Sequence, residues 1–388
     1  MEYIPDKKEV TLLKETTNIF LTRLNKRLRN AKAIVGGSYA KGTFLPGNKD
    51  IDVFVRFKNE KEISNILHIV LKKSFNKIKR VHGSRDYFHV MFNGLLFEVV
   101  PVLEIKKPEQ ALNITDISPL HISYVNKKTN KDTKNEIRKL KLFLKANKLY
   151  GAESYIRGFS GYVTELLIIK YKTFDNFIKN VKKWKPKVII DTEKYYKNKN
   201  EALFNLNEAK KLSPLIVIDP VQKERNAAAV LSLAQFSKLK EAVKNPSFQK
   251  EIFELNSYKD YILLEVTPKS GKKDIVGSKL LKAFDFIKNK LKQNDFEIID
   301  AGWNWEKKAI FYFKVKDNLP KTKKHYGPLK THKEHLVKFK KKYKNVKFEK
   351  RRSYTIVKRK YTKAKPFIKF LLKEDNVKNK VKNINILK

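Results

Sequence analysis

Cysteine is absent from this sequence of 388 residues, and acidic residues and long apolar runs are scarce. Without cysteine, the chain can form neither disulfides nor thiolate metal sites. No stretch approaches the roughly 18 apolar residues that cross a membrane, and the amino-terminal MEYIPDKKEV lacks the apolar segment of a signal peptide. We therefore expect a soluble cytoplasmic protein with no membrane partner.

The shortage of acidic residues leaves a large positive charge. Lysine and arginine number 87 against 40 acidic residues, for a net charge of +47, and 29 basic residues against 6 acidic ones fall within 301–388. Hydrophobic residues make up 41%, which is too many for a disordered polyelectrolyte. An A/T-rich genome can raise the lysine content, but it does not explain the low acid content. The charge favours a nucleic-acid partner over a membrane surface, because no lipid-anchoring motif is present.

The order of predicted elements indicates an α+β multidomain protein. At roughly 150 residues per domain, the length allows two or three domains. Apolar spacing predicts helices at 6–30 and 60–77, and strands at 33–35, 86–92 and 94–100. Pro101 is expected to end the last of these strands.

Beyond residue 130 the pattern changes twice. In residues 132–250 the spacing of apolar residues mostly predicts helices, with a loop or strand at 187–190. Residues 261–316 have the order strand, helix, strand, strand, which is common among small α+β folds that bind RNA. The final 374–388 is expected to be loose.

The chemistry is concentrated in GGSYAKGTFLPGNKDIDVFVRF, residues 36–57. Asp50 and Asp52 lie two apart in a strand, so both carboxylates should emerge on one face. Neighbouring carboxylates repel one another, and a divalent cation relieves this most simply. Oxygen ligands without His or Cys favour Mg²⁺ over zinc. The competing interpretation is a salt-bridged turn.

A glycine turn precedes this strand. Gly37 and Ser38 can offer backbone N–H groups and a hydroxyl to a triphosphate, with Lys41 as the counter-charge. The turn is not a Walker loop, because the residues that follow Gly42 are Thr-Phe instead of Lys-Ser/Thr. Two-metal phosphoryl transfer needs a third carboxylate, and Glu98 in an apolar strand is the candidate. Its competing interpretation is a buried partner for a lysine or arginine.

Together these motifs resemble the archaeal-type, class I CCA-adding tRNA nucleotidyltransferases of the polymerase β-like superfamily. The motifs that carry the resemblance are GSYAKGT (37–43), DID (50–52), EVVP (98–101), SPLH (118–121), YGAESYIRGFSGYVTELL (150–167), IDPVQKERNAAAVLS (218–232) and HYGP (325–328). The resemblance implies a polymerase β-like nucleotidyltransferase head (1–126), a mainly helical neck (127–252), and a small α+β, RRM-like body with a basic tail (253–388).

The resemblance also implies an activity and a site. The activity is addition of C, C and A to the 3′ end of tRNA from CTP and ATP, without a nucleic-acid template. Asp50, Asp52 and Glu98 would be the catalytic residues and would hold two Mg²⁺ ions, with Glu98 nearest the primer 3′-hydroxyl. The implied nucleotide-binding residues are Gly37, Ser38, Lys41, His121, Lys141 and Tyr150 at the triphosphate and Arg225 at the base.

Several alternatives stay open. Without the resemblance, Lys141 is better interpreted as a surface lysine, and His121, Tyr150 and Arg225 as structural side chains. Lys41 stands where the family usually has arginine, and Glu98 stands where aspartate is frequent. The competing functions are a poly(A) polymerase or oligoadenylate-type nucleotidyltransferase, and a catalytically inactive RNA-binding protein. The resemblance leaves a homodimer open.

Overall fold

The structure is a computed structural model, and it describes residues 3–59, 61–249 and 255–387. The chain divides into two compact units, Met1–Glu251 and Ile252–Lys388. The finer division of the first unit near residue 126 stays a prediction. Within the described ranges, no helix is both long and apolar enough to cross a membrane.

The first part of the N-terminal unit is a five-stranded mixed sheet with strand order β1-β2-β5-β4-β3. Its elements are α1 (Lys7–Asn25), β1 (Ala31–Val35), α2 (Gly37–Ala40), β2 (Asp50–Phe57), α3 (Ile63–Ser74), β3 (Ile78–Val81), β4 (Tyr87–Phe92) and β5 (Leu95–Leu103). Helices α1 and α3 bury their apolar faces against one side of this sheet. At the centre of that core, the Phe20 ring stacks on Phe97 with ring centroids 3.8 Å apart.

Pro101 does not end β5, contrary to the prediction. The strand continues to Leu103 and pairs in parallel with β2, where Pro101 lies opposite Val55. The pairing of β5 with β4 stops at Val99. Pro101 is tolerated because it lies beyond that point, where β5 has only one paired neighbour and a missing N–H leaves no gap in the β4 ladder.

The second part of the N-terminal unit is mainly helical, as predicted. It contains α4 (Ser118–Lys128), α5 (Lys131–Ala146), α6 (Gly161–Tyr171), α7 (Phe174–Lys183), β6 (Val188–Ile190), α8 (Lys199–Asn205), α9 (Glu208–Lys211), β7 (Leu215–Val217) and α10 (Leu233–Ala242). The KVII segment is a strand, because β6 pairs in parallel with β7. Helix α6 lies in the middle of this part and is buried from Val163 to Ile169. That burial includes one acidic residue, Glu165.

The C-terminal unit is also α+β. It contains β8 (Ile262–Thr267), α11 (Lys273–Gln293), β9 (Glu297–Trp305), β10 (Ala309–Lys316), β11 (Thr322–Leu329), α12 (Lys333–Lys342), β12 (Lys347–Glu349), β13 (Arg352–Lys358), α13 (Ala364–Leu371), α14 (Asp375–Lys378) and β14 (Asn383–Ile386). One sheet has the order β14-β8-β10-β9 and a second has the order β11-β13-β12. Helices α11 and α13 pack in the core of the first sheet.

The expectation of a loose segment at 374–388 is wrong for the residues described there. Strand β14 joins the edge of the larger sheet antiparallel to β8, with Ile384 opposite Val266. Residues 383–386 read NINI, which is a period-2 pattern too short to identify a strand alone. The partner strand is distant in the sequence, so only the fold reveals the pairing. The predicted fold class, an α+β protein of more than one domain, is confirmed.

Candidate active site

The three predicted catalytic carboxylates lie on the adjacent strands β2 and β5. These strands pair in parallel, and Asp52 is the direct partner of Glu98. Ile51 and Val53 point into the core, so Asp50 and Asp52 share the opposite face, as the spacing predicted. Burial, followed by the charge of Glu98 and a smaller contribution from Asp50, raises the pKa of Asp52 to about 6, although Lys41 opposes the shift.

The chemistry of this group fits a divalent cation. The three groups are oxygen donors, and their mutual repulsion is the kind that a cation relieves. The Oε2 atom of Glu98 lies 3.3 Å from Nε2 of His89 on β4. Among the residues that the structure describes, no three His, Cys, Asp or Glu side chains are gathered closely enough to form a metal site by themselves. The assignment of these carboxylates as metal ligands therefore stays a prediction.

The glycine turn lies directly against Asp52. Gly36 N–H donates to the backbone oxygen of Asp52 at 2.7 Å. Gly37 has φ +54°, and a Cβ added there would lie 1.5 Å from Oδ2 of Asp52. Only glycine fits, because a side chain would meet the carboxylate as well as strain the backbone. The turn therefore brings Ser38, on α2, next to the acidic strand.

Beyond the turn, two of the predicted triphosphate residues meet in a buried charge cluster. Lys41 Nζ donates to Oε2 of Glu165 at 2.5 Å, and Lys141 Nζ donates to Oε1 at 3.1 Å. Thr43 Oγ1 also donates to Oε1, at 2.6 Å. Burial would raise the pKa of Glu165, but the charges of Lys141 and Lys41 and the hydrogen bonds from Lys41 and Thr43 lower it to about 2. Glu165 therefore stays ionised between the two lysines.

A cavity of about 260 Å³ opens beside this cluster, lined by Ser38, Thr43, Phe44, Leu45, Pro46, Gly47, Asn48, Lys141, Lys145 and Tyr150. It gathers three predicted nucleotide-binding residues, Ser38, Lys141 and Tyr150. Lys145 Nζ lies 5.4 Å from the centre of the Tyr150 ring. Burial lowers the pKa of Lys145, and the charge of Asp50 opposes that shift. Lys145, which lines this cavity, therefore lies within electrostatic range of the acidic strand.

The two remaining predicted residues, His121 and Arg225, meet at the carboxylate of Asp219. His121 Nε2 lies 3.0 Å from Oδ2 of Asp219, and Arg225 Nη1 donates to the same oxygen. Tyr162 Oη donates to Oδ1 at 3.0 Å, and its ring stacks on His121 with centroids 4.1 Å apart. Burial would raise the pKa of Asp219, but His121 and Arg225 lower it to about 2.

Tyr162 links the two clusters. Lys41 Nζ lies 5.8 Å from the centre of its ring, which is within the range of a cation–π contact. Lys41 therefore contacts Glu165 on one side and the Asp219 cluster through Tyr162 on the other. The two clusters and the adjoining cavity therefore form one continuous region. This region contains six predicted residues: Ser38, Lys41, His121, Lys141, Tyr150 and Arg225. Their role in nucleotide binding stays a prediction.

Sequence reasoning missed the two carboxylates that organise these clusters, Glu165 and Asp219. Both residues are 0% exposed. A signal was present: Glu165 stands in the apolar run YVTELLII and Asp219 follows the apolar run LIVI. An unpaired carboxylate in such a run is costly, so each should have indicated a basic partner, by the argument that selected Glu98.

Comparison with known proteins identifies the family. One family model, described as tRNA nucleotidyltransferase, second domain, matches residues 135–254, and another, described as CCA-adding enzyme, C-terminal domain, matches residues 266–384. The CCA-adding enzyme of Nanoarchaeum equitans is 36% identical over 335 residues, which is 84% of each chain. That of Saccharolobus islandicus is 32% identical over 292 residues, covering 72% of this chain and 68% of the relative.

Two further similarities were found, one to another archaeal enzyme and one to a solved structure. The CCA-adding enzyme of Picrophilus torridus is 33% identical over 285 residues, covering 70% of this chain and 61% of the relative. A solved cytoplasmic RNA terminal U-transferase superposes on 65% of this chain and 96% of its own, with TM-score 0.49 and 13% identity. The last similarity is too distant to carry a conclusion. The extent and identity of the archaeal matches do carry one: this chain belongs to the CCA-adding enzyme family of tRNA nucleotidyltransferases.

Proposed function

We propose that this chain adds C, C and A to the 3′ end of tRNA, using CTP and ATP and no nucleic-acid template. The prediction of this family is confirmed, and template-independent CCA addition is the activity that membership supports. The geometric observation that best supports the proposal is the position of Asp52. It lies opposite Glu98 across two parallel strands and fills the space beside Gly37. The acidic groups therefore adjoin the glycine turn to which we assign the phosphates.

The family implies dependence on a divalent metal, and we assign Asp50, Asp52 and Glu98 as the residues that would hold two Mg²⁺ ions. Bound ions would neutralise phosphate oxygens and favour ionisation of the attacking hydroxyl. The chain itself would provide the binding of the nucleotide. Lys41 and Lys141 would place positive charge near the phosphates and stabilise the leaving pyrophosphate.

Selection of the base is assigned to Arg225. Its guanidinium presents paired donors that can meet O2 and N3 of cytosine or N1 of adenine. Asp219 holds Nη1 of this guanidinium and so restricts its orientation. We infer that the RNA end shares in shaping the pocket, since one arginine must serve first a pyrimidine and then a purine.

Binding of tRNA is assigned in large part to the C-terminal unit. Its surface carries aromatic rings beside lysines: Lys330 Nζ lies 4.9 Å from the Phe348 ring centre, and Lys324 Nζ lies 4.9 Å from that of Tyr354. Such pairs can provide both phosphate contacts and stacking surfaces. We propose the head at 1–126, the neck at 127–252 and the RNA-binding body and tail at 253–388. A homodimer stays a prediction.

The direct test is incubation of the chain with three forms of tRNA and each labelled nucleotide. A tRNA that lacks CCA should accept two CMP residues and then one AMP. A tRNA that ends in CC should accept AMP alone, and a complete tRNA should accept neither nucleotide. Absence of CMP incorporation contradicts the proposal, and long products made from ATP alone would select a poly(A) polymerase.

Variants of the acidic residues test the metal assignment. We expect Glu98→Gln and Asp52→Asn to reduce incorporation to background while tRNA binding persists. Glu104→Gln is the matched control, because Glu104 follows the same strand but is ion-paired with Arg56 at 3.5 Å. Chelation with EDTA should abolish incorporation, and Mg²⁺ should restore it. Full activity of Asp52→Asn would overturn the assignment.

A further inference from the structure

Glu165 is a buried ionised group with no direct part in the proposed reaction. Its side chain is 0% exposed, so a nucleotide cannot touch it in this arrangement. Both carboxylate oxygens are engaged: Oε1 accepts from Thr43 and Lys141, and Oε2 accepts from Lys41. The carboxylate therefore connects the residues that follow the glycine turn with helices α5 and α6.

The lysine on α5 is held at three points. Lys141 Nζ lies 3.1 Å from Oε1 of Glu165, 2.9 Å from Oγ1 of Thr43 and 3.2 Å from the backbone oxygen of Thr43. An ammonium group has three hydrogens, so these contacts fix its position. Because Lys141 and Thr43 both line the cavity next to Ser38, the fixed position lies at the edge of the space assigned to the nucleotide.

Two lysines share one carboxylate in this cluster. Lys41 and Lys141 both contact Glu165 in a buried environment beside the cavity. Burial lowers the pKa of Lys141, and the charge of Glu165 opposes that shift. A buried ion pair is not in itself a strong source of stability, and apolar residues of similar volume often serve as well. A carboxylate shared by two lysines at the edge of a cavity is better explained by a role in binding an anion there.

We propose that Glu165 is a positioning residue that holds Lys41 and Lys141 in place for the nucleotide triphosphate, so that the glycine-turn lysine and the α5 lysine act on the phosphates as one unit. This inference rests on the proposed function. Its consequence is specific. Loss of the carboxylate should weaken phosphate binding equally for CTP and ATP, and it should leave the binding of tRNA unchanged.

The test is Glu165→Gln, which keeps the shape but removes the charge. Nζ of Lys41 then loses its acceptor and faces an amide. We expect the inhibition constant of inorganic pyrophosphate and the KM values for CTP and ATP to rise by the same factor, about tenfold, because a hydrogen bond to a charged group is lost at each lysine. The KM for tRNA should not change. Glu165→Asp, one methylene shorter, should recover part of the loss.

The matched control is Asp116→Asn. Asp116 is likewise 0% exposed, forms an ion pair with Arg85 and accepts a hydrogen bond from Leu103 N at 2.8 Å. We expect Asp116→Asn to lower the thermal unfolding midpoint about as much as Glu165→Gln does. Its inhibition constant for pyrophosphate should stay within about twofold of the wild-type value. Equal weakening of pyrophosphate binding in both variants would show a merely structural role and overturn the inference.

A double variant tests whether Glu165 acts through Lys41. If it does, Glu165→Gln combined with Lys41→Met should weaken pyrophosphate binding by clearly less than the product of the two single effects, because only the part that acts through Lys141 is then left to lose. If the loss of pyrophosphate binding in the double variant equals the product of the two single losses, the inference is contradicted. Failure of the wild-type chain to incorporate CMP would refute the proposed function instead, whereas normal incorporation with unchanged pyrophosphate inhibition in Glu165→Gln refutes this inference alone.

Discussion

Gly37 and Asp52 occupy adjoining space, so that a methyl group on Gly37 would lie 1.5 Å from Oδ2 of Asp52. The glycine also has φ +54°, which side chains rarely adopt. The turn that is assigned to the phosphates and the carboxylate that is assigned to the metal are therefore in direct contact. A side chain at position 37 must therefore displace the Asp52 carboxylate.

We accordingly expect Gly37→Ala to abolish nucleotide incorporation, because the new methyl group displaces the Asp52 carboxylate. Gly94→Ala is the matched control: Gly94 also has a positive φ, of +77°, but a Cβ there meets nothing within 4 Å. The control should lose about 1 kcal/mol of stability from backbone strain and keep its activity. Incorporation assays and thermal unfolding separate the two effects. Retention of activity by Gly37→Ala would show that Asp52 can move without consequence.

Arg225→Lys tests the assignment of base selection. Lysine keeps the charge but loses the planar pair of donors, so we expect kcat/KM for CTP and ATP to fall by about 10- to 100-fold and misincorporation of UMP and GMP to rise. Arg80→Lys is the control, because Arg80 is also ion-paired with an aspartate, Asp86, at 2.8 Å but lies on β3. Unchanged selectivity among the four nucleotides in Arg225→Lys argues against the assignment.

The acid sensitivity of the N-terminal unit follows from Glu165 and Asp219. Their pKa values of about 2 lie below the ordinary values of 4.5 and 3.8. A depressed folded-state pKa contributes stability that is complete above the unfolded value and is lost as the pH falls from about 4.5 towards 2. We expect hydrogen exchange in α6, corrected for intrinsic rates, to accelerate over that interval.

Glu165→Gln is the control for this prediction, since glutamine does not titrate. The variant should be less stable near neutral pH, and the exchange rate in α6 should depend less steeply on pH. The pH dependence that remains in this variant should come from Asp219. An unchanged pH dependence in Glu165→Gln would mean that the two lysines do not stabilise the ionised carboxylate.

The interaction with tRNA should weaken steeply as salt increases, because phosphate contacts release counterions. We expect Lys330→Gln and Lys340→Gln, which flank the Phe348 ring, each to weaken binding and to reduce the slope of log K against log salt by about 1. Lys14→Gln, an exposed lysine on α1, is the control. Binding measured at several salt concentrations tests this, and equal slopes for all three variants would exclude this surface from the contact.

Features that depend on neighbouring residues were predicted from the sequence, whereas features that depend on contacts between distant segments were not. The strands predicted at 86–92 and 94–100 and the helical pattern that begins at 132 followed from short-range patterns, and the structure has β4, β5 and α5 there. The continuation of β5 through Pro101 did not, because it depends on where pairing with β4 stops. Strand β14 was missed for a similar reason, since its four residues are a strand only beside β8.

The candidate site shows the same division. Asp50, Asp52 and the glycine turn were identified from spacing and from residue type. Lys41 was selected as the counter-charge beside the glycine turn, and Lys141 only by resemblance. Their shared partner is separated from Lys41 by 124 positions. No local pattern could have named that partner. The cost of an unpaired charge predicts that Glu165 needs one, but not which one.

By itself, the sequence determined the family, the α+β class, the common face of Asp50 and Asp52, and the presence of a glycine turn before their strand. These features depend on neighbouring residues and on the period of a strand, which the chain carries locally. Tertiary structure alone decided that Asp52 lies opposite Glu98, that Glu165 lies between two lysines and that Asp219 joins His121 to Arg225. Strand register and the pairing of buried charges depend on contacts between distant segments, which form only when the chain folds.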